Sequence, residues 1–312
     1  MAPAASLVLA TRNRQEELRS LLVSAREQSV PLETIVMDDG SSDGTAGMVQ
    51  QQFPEVRFYQ VASARGPAFQ RNRGTELASC NIVFSLDDDA LFISPQTVAQ
   101  SLEEFDHPRL GALGIPFVNV QQDHAVQQRA PASGIHVTDA FVGAAYAVRR
   151  DVFLQVGGYR EHFFYMGEEG DLCLRMMNAG YVTRLGTADP VHHFESSRRN
   201  LSRADFSGRR NDILFCWHNV PMPYFPFHLL GTTLNGLAFG LRAGRFWKMF
   251  EGMASGYANS LSRWKERKPV SSEIYRLHRS LKKHGPRLLS EIEQHLPELD
   301  PDAVQHSQIT PS

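Results

Sequence analysis

Short apolar, β-prone runs punctuate the first third of the chain at residues 6–9, 33–37, 57–61 and 82–86. Each is bounded by polar or turn-forming residues, which predicts four strands. Between them the spacing becomes helical. Leu18, Leu21, Leu22 and Ala25 share one helix face, and a later helix is predicted to open with Ser94 as N-cap and Pro95 at its first position, burying Val98, Leu102 and Phe105. Strands alternating with helices predict an α/β fold with a mainly parallel central sheet flanked by helices. Ligands of such sheets bind at the carboxyl ends of the strands.

Beyond residue 111 the rhythm is irregular, and 119–131 has no period and reads as a flexible loop. Helices are predicted over 150–156, stopped by Gly157 and Gly158, and over 168–179, with Gly180 past its end. From 198 onward the pattern is helical, broken at Pro221, Pro223 and Pro226, and from 297 it is polar and reads as disordered. Residues 221–241 contain no Asp, Glu, Lys or Arg, yet Arg242, Arg245 and Lys248 follow at once. Three prolines argue against a spanning helix. The segment 221–248 is therefore read as buried against the catalytic domain, as an oligomer contact, or as a peripheral membrane contact.

At 312 residues and 42% hydrophobic content the chain can bury a full core. A net charge of -2 gives no electrostatic footprint for nucleic acid, although basic residues gather at 198–210 and 263–268. Cys80, Cys173 and Cys216 fit neither a zinc site nor a disulfide framework and read as reduced thiols. The first residues lack the basic and long apolar regions of a secretory signal, which predicts a cytoplasmic protein. Gly-rich phosphate loops of the dinucleotide-binding or P-loop kind are absent from the sequence, which argues against oxidoreductases and P-loop NTPases.

Three clusters carry candidate chemistry. Asp87, Asp88 and Asp89 end the fourth predicted strand, and adjacent carboxylates need either a cation or wide exposure to water. Asp87 and Asp89, two apart, can approach one Mg2+ or Mn2+ ion; a solvated acidic turn is the plainer reading. Glu168 and Glu169 follow the aromatic run Phe163, Phe164 and Tyr165, where partial desolvation would lift a carboxyl pKa toward that of a general base. Asp171 is read as an ordinary i,i+4 partner of Arg175. His192 and His193 could complete a metal shell, with Arg198 and Arg199 holding phosphate oxygens. The acids of the turn from Asp38 to Gly44 lie at the same sheet edge and can accept from a base or ribose, or can simply serve the turn. Glu103 and Glu104 are read as a surface acid pair.

In order along the chain, these residues resemble family 2 glycosyltransferases of the GT-A fold, especially the bacterial rhamnosyltransferase-like branch. The carriers are Leu-Val-Leu-Ala-Thr-Arg-Asn-Arg at 7–14, Val-Met-Asp-Asp-Gly-Ser-Ser-Asp-Gly-Thr at 36–45, Arg-Asn-Arg-Gly at 71–74 and Leu-Asp-Asp-Asp at 86–89. Gly143, Arg149 and Arg150, then Gly-Gly-Tyr at 157–159, Glu-Glu-Gly-Asp-Leu-Cys-Leu-Arg at 168–175 and His192 continue the match. The resemblance implies a GT-A catalytic domain over 1–215, a helical extension over 216–296 and a disordered tail over 297–312. It implies an inverting transfer of sugar from a nucleoside-diphosphate donor to an acceptor hydroxyl, with lipid-linked acceptors among those used by the family. Donor contacts would come from Ala10, Thr11, Arg12, Arg14, Asp39, Arg71, Asp87 and Asp88, with Asp39 on the base. Asp87 and Asp89 would hold Mn2+ or Mg2+ together with His192 or His193, and Glu169 would be the catalytic base, with Glu168 as the alternative. The sequence departs from the family pattern at Glu169, where Asp is commoner, and at Ala10, where Pro is common. The rivals are a catalytically silent nucleotide-sensing scaffold of the same fold and a nucleotidyltransferase, which would need no general base on a later helix.

Overall fold

A computed structural model describes residues 2–195 and 201–299. In chain order the first half contains β1 (Ala5–Thr11), α1 (Gln15–Arg26), β2 (Leu32–Asp38), α2 (Thr45–Gln52), β3 (Arg57–Gln60), α3 (Pro67–Leu77), β4 (Ile82–Asp87), β5 (Ala90–Phe92) and α4 (Thr97–Glu103). Next come β6 (Leu110–Gly114), β7 (Phe117–Asn119), β8 (Val126–Gln127), β9 (His136–Thr138), β10 (Ala145–Arg149), α5 (Arg150–Gln155), α6 (Glu168–Asn178), β11 (Val182–Leu185) and β12 (Val191–His193). The remainder is α7 (Leu201–Asn219), α8 (Tyr224–Arg242), α9 (Phe246–Ser262), α10 (Ser272–His284), β13 (Arg287–Leu288) and α11 (Leu289–Ile292).

The main sheet runs β13-β9-β11-β6-β10-β4-β1-β2-β3. Its β4-β1-β2-β3 part is parallel, as expected, but β10 enters antiparallel between β4 and β6, so the sheet is mixed. An antiparallel strand needs no helical crossover, which fits the irregular stretch preceding β10. Both faces are covered. Along β1, Ala5, Leu7 and Leu9 face the α1 side while Val8 faces the α3 side, and on β4 Ile82, Phe84 and Leu86 alternate with Val83. Gly74 of α3 lies so close to Val8 that a Cβ there would collide with it, which lets the helix lie directly on β1.

A second sheet, β5-β12-β7-β8, forms above the carboxyl edge. It corrects the reading of 119–131 as a loop without structure, because β8 pairs with β7 there. The α4 helix also starts later than expected. Ser94 accepts from the Gln96 N–H and donates to Asp189, so it heads a turn and ties down a distant loop, and the helix begins at Thr97. Glu104 is no surface acid: its carboxylate is buried and accepts from the Thr187 and Ala188 N–H groups beside Arg184. Glu103 is exposed as expected.

Helix α7 runs unbroken across residue 215, and the chain after α9 returns through α10 to place β13 on the edge of the main sheet beside β9. The expected tail falls largely in 300–312, outside the described residues. Helices α7 and α9 approach closely because Gly252 faces the Phe206 carbonyl and Gly256 faces that of Arg210, where a Cβ would sit 2.8 Å from the oxygen. Gly256→Ala therefore sets a backbone clash against a helix-propensity gain of about 1 kcal/mol, and overpacking costs of about 1–3 kcal/mol should win. Thermal denaturation should show a lower midpoint for Gly256→Ala and no loss for Gly47→Ala, whose Cβ would meet nothing; equal midpoints would refute the close-packing account.

Candidate active site

The carboxyl ends of β1, β2 and β4 open onto a cleft of about 680 Å³, within the range of small-molecule sites. Ala10, Thr11, Arg12, Arg14, Asp39, Arg71, Asp87 and Asp88 all line it, as do Asp89, Glu168, Glu169 and His193. His192 does not. Successive strand residues point to opposite faces, and the His192 ring packs instead near Phe194. Arg198 and Arg199 lie outside the described residues.

Asp38 and Asp43 serve their turn: Asp38 accepts from Ser41, and Asp43 accepts from Thr45 and from the Gln15 N–H. Asp39 does more. Its Oδ1 accepts from the Arg65 N–H at 2.7 Å and from Gln70 at 2.7 Å, while Oδ2 takes a single longer bond from the Gly66 N–H at 3.1 Å. This holds the buried carboxylate at the cleft wall with acceptor capacity on Oδ2.

The three aspartates are kept apart by cations and by strand geometry. Asp88 turns inward, accepting from Thr11 and Arg14 at 2.8 Å each; burial pushes its pKa up to about 7 against the pull of Arg14. Asp87 accepts from Arg71 at 2.6 Å, and burial raises its pKa too. Asp89 accepts from Arg14 at 2.6 Å; burial works against ionisation here, but His193 and Arg14 prevail and its pKa is lowered.

Pairing in the small sheet sets His193 opposite Ala90 of β5 and Asn119 of β7. Asn119 donates from Nδ2 toward Gln122, so its Oδ1 faces His193 Nδ1 at 2.6 Å and accepts from it. That hydrogen bond turns Nε2 toward Asp89 at 3.3 Å and Asp87 at 3.7 Å. In the neutral ring Nε2 is a lone pair aimed at two carboxylates, an arrangement that requires a proton or a metal ion between them. One ligand atom each from Asp87, Asp89 and His193 lies within 4.8 Å of the others. The two carboxylate oxygens suit a hard divalent ion such as Mn2+ or Mg2+, with the imidazole nitrogen available as a third ligand.

A second trio, His162, His218 and Glu266, meets the same distance criterion. There the two Nε2 atoms are 3.0 Å apart, and burial, with Arg160 nearby, pushes the rings down to about 3 and about 4. Two neutral imidazoles sharing one hydrogen bond account for it.

The opposite wall is the first turn of α6. Glu168 is 3% exposed and 3.8 Å from Arg71, whose other nitrogen holds Asp87, so one buried guanidinium bridges the two acidic groups. Glu169 is more accessible and faces Gly143, where any side chain would collide with its carboxylate. Burial raises both pKa values, and the neighbouring Glu168 charge adds to the rise at Glu169, which reaches about 8 despite Arg71. Asp171 is structural: Arg160, Arg175 and Asn219 all donate to it, tying α6 to α7.

Residues 6–156, which supply the Asp39 turn, Arg71 and the three aspartates, match the profile of Glycosyl transferase family 2. They belong to that family. Among curated relatives, the pre-mycofactocin glycosyltransferase of Mycobacterium tuberculosis is 28% identical over 210 residues, covering 60% of this chain and 42% of that protein. The chain thus spans less than half the length of this relative. Among solved structures, mannosyltransferase PcManGT from Pyrobaculum calidifontis in complex with GDP-Man and Mn2+ superposes with a TM-score of 0.57 at 18% identity, covering 99% of this chain and 88% of that one. S. aureus TarS 1-349 in complex with UDP-GlcNAc gives 0.61 at 13% identity, covering 97% and 92%. These likenesses establish the GT-A fold.

Several cleft residues beyond the family motifs escaped sequence reading: Asn119, Met166, Glu195 and Arg203. Asn119 lies in the stretch with no period and gave no signal. Tyr165, from the aromatic run read as desolvating Glu168 and Glu169, does line the cleft.

Proposed function

We propose that this protein is an inverting, divalent-metal-dependent glycosyltransferase that moves a sugar from a nucleoside diphosphate to an acceptor hydroxyl. The observation that carries this reading is the meeting in one cleft of the Asp87, Asp89 and His193 trio with the buried Glu168 and Glu169 pair, linked through Arg71. GDP-Man with Mn2+ in one structural neighbour and UDP-GlcNAc in another support the donor class.

Mn2+ or Mg2+ held by the trio would supply positive charge beside the diphosphate as it departs. Asp39 Oδ2 would accept from the base or ribose, beside the Arg65 and Gly66 backbone that holds the carboxylate. Arg12, exposed at the end of β1, would meet phosphate oxygens. Glu169 would take the proton of the acceptor hydroxyl while that oxygen bonds the anomeric carbon. The bond to the diphosphate oxygen breaks on the opposite face, so the anomeric configuration inverts and no covalent enzyme intermediate forms. Glu168, deeper and tied to Arg71, would keep Glu169 basic through its charge.

The deciding experiment incubates the protein with a panel of nucleotide sugars, Mn2+ or Mg2+, and diverse acceptors. Release of nucleoside diphosphate with a glycosylated product of opposite anomeric configuration is expected. A donor at a hundred times its Kd should add about 2.7 kcal/mol of thermal stability. Donor binding with neither transfer nor hydrolysis across the panel would favour the scaffold reading.

A pH profile gives an independent check. A general base works only when deprotonated, so kcat/KM should fall about tenfold per pH unit below a limb set by Glu169, well above an ordinary carboxyl and near about 8. Glu168→Gln removes a neighbouring negative charge and should move that limb to lower pH. A limb at ordinary carboxyl pKa in the parent protein would contradict the assignment.

A further inference from the structure

Helices α8 and α9 are built inside out for an ordinary surface hairpin. Their inward faces are rich in small residues: Gly236 and Gly240 on α8, and Gly252, Gly256 and Ser260 on α9, are all buried, with Met249 and Met253 of α9 filling the space against the α8 glycines. Many of their large apolar side chains point away from the protein. On α8 Phe227, Leu230 and Leu234 are exposed, and on α9 Trp247, Phe250 and Leu261, with Phe227 at 76% and Trp247 at 73%. The expectation that 221–241 is buried against the catalytic domain thus holds for one face only: Tyr224, Phe225 and Leu229 pack on the core. Small residues between helices with bulky apolar residues outward is how helices pack in lipid, where water does not penalise the outer face. Among the described residues no helix is long and apolar enough to cross a membrane.

Charge identifies the surface it fits. Residues 221–268 carry seven Lys and Arg against two Glu, in a chain whose net charge is -2. The cations stand at both ends of the apolar helices: Arg242, Arg245 and Lys248 at the α8–α9 turn, and Arg263, Lys265, Arg267 and Lys268 just past α9; Arg245, Lys248 and Arg263 are paired with Asp205, Glu251 and Glu266, so the charge offered outward rests mainly on Arg242, Lys265 and Lys268. In a two-fold dimer through this face, these basic ends would oppose copies of themselves or leave charge uncompensated. An anionic headgroup layer complements them while accepting the aromatic side chains at its interface.

We propose that the α8–α9 face docks in the plane of an anionic phospholipid bilayer, with the cleft mouth beside the headgroups. The link to the cleft is direct. Arg245 at the α8–α9 turn pairs with Asp205 of α7 at 3.3 Å, and Arg203, two residues earlier, lines the cleft with its guanidinium over the rings of Phe164 and Tyr165. On the transferase reading above, this favours an acceptor hydroxyl presented on a lipid; docking itself does not depend on that reading.

Flotation of the full chain with vesicles of phosphatidylcholine alone, or mixed with phosphatidylglycerol, tests it. Binding to the mixed vesicles, weakened by salt, is expected, with little binding to phosphatidylcholine alone. Arg242→Glu combined with Lys265→Glu and Lys268→Glu should weaken binding by more than about a hundredfold, since loss of each cation near the surface costs about 1 kcal/mol and the introduced carboxylates add repulsion. Phe227→Glu with Trp247→Glu should abolish it. Both sets change exposed side chains outside the cleft, so circular dichroism and the donor-induced thermal shift should stay at parent values. Absence of binding to mixed vesicles, or binding that neither set alters, would overturn the proposal. So would a concentration-dependent dimer, seen by sedimentation, that Phe227→Glu with Trp247→Glu dissolves while vesicle binding persists. Transfer to soluble acceptors without vesicle binding rejects docking alone; vesicle binding without transfer rejects the catalytic reading alone.

Discussion

Glu169→Gln is expected to slow sugar transfer by about 10²–10⁴-fold, the usual contribution of a positioned general base. The substitution keeps shape and hydrogen-bonding capacity at the cleft wall and removes only the proton acceptor. Donor affinity, measured by the thermal shift with Mn2+, should therefore survive, so the loss should fall on kcat. Glu168→Gln should behave differently. Glu168 is buried against Arg71, so its loss releases a guanidinium that also holds Asp87, and both donor affinity and the pH limb should move with a smaller fall in kcat. If Glu169→Gln transfers at the parent rate, the base is misassigned. If Glu168→Gln alone shows the large, kcat-only loss, the two residues exchange roles.

The second large effect concerns the cation. Asp89→Asn and His193→Ala should each weaken Mn2+-dependent donor binding by on the order of 10²–10³-fold, equivalent to several kcal/mol of charge stabilisation. Excess chelator should reduce the parent protein to the same level. These two positions are cleaner than Asp87, whose removal also strands Arg71. Asn119→Ala should give a weaker version of the His193 defect, about 10–100-fold in metal affinity, because the imidazole loses the bond that orients it. Glu103→Ala, a change at an exposed acid on α4, should change nothing. Glu104→Ala is unsuitable as a control, because that carboxylate holds the 187–188 backbone. Full donor binding by Asp89→Asn with Mn2+, or by the parent protein in chelator, would remove the metal from the proposal.

Local pattern carried the parallel core. Strands β1 and β4 and the second half of β2 are short apolar runs buried on both faces, with β3 a half-exposed edge, and the helices between them show their buried residues within one or two turns, so interactions within a few residues specify them. The acidic turn after β2 and the three aspartates after β4 were legible for the same reason, since both lie where a strand gives out. Gly157, Gly158 and Gly180 marked helix ends through backbone conformations that they adopt with little strain.

What local pattern could not carry was anything decided by pairing across the chain. Between His192 and His193 the choice rests on the register of β12 against β5 and β7, strands about 75 to 100 residues earlier in the sequence. A one-residue slip would exchange the two rings. The bridge from Asp87 to Glu168 runs through Arg71 of α3, and the Asn119 that aims His193 sits in a stretch with no period at all. Ser94 had the composition of an N-cap, but Asp189 drew its hydroxyl into a tertiary contact and α4 began later. The segment 221–241 showed its apolar content openly. Which of its faces meets protein and which meets the surroundings was set only when glycines on α8 and α9 let the helices close on α7 and on each other, turning many of the large side chains outward. Sequence by itself therefore determined the elements and the kinds of side chain available; packing between distant segments determined which of those side chains share a site, because that choice depends on register and close approach that no short window contains.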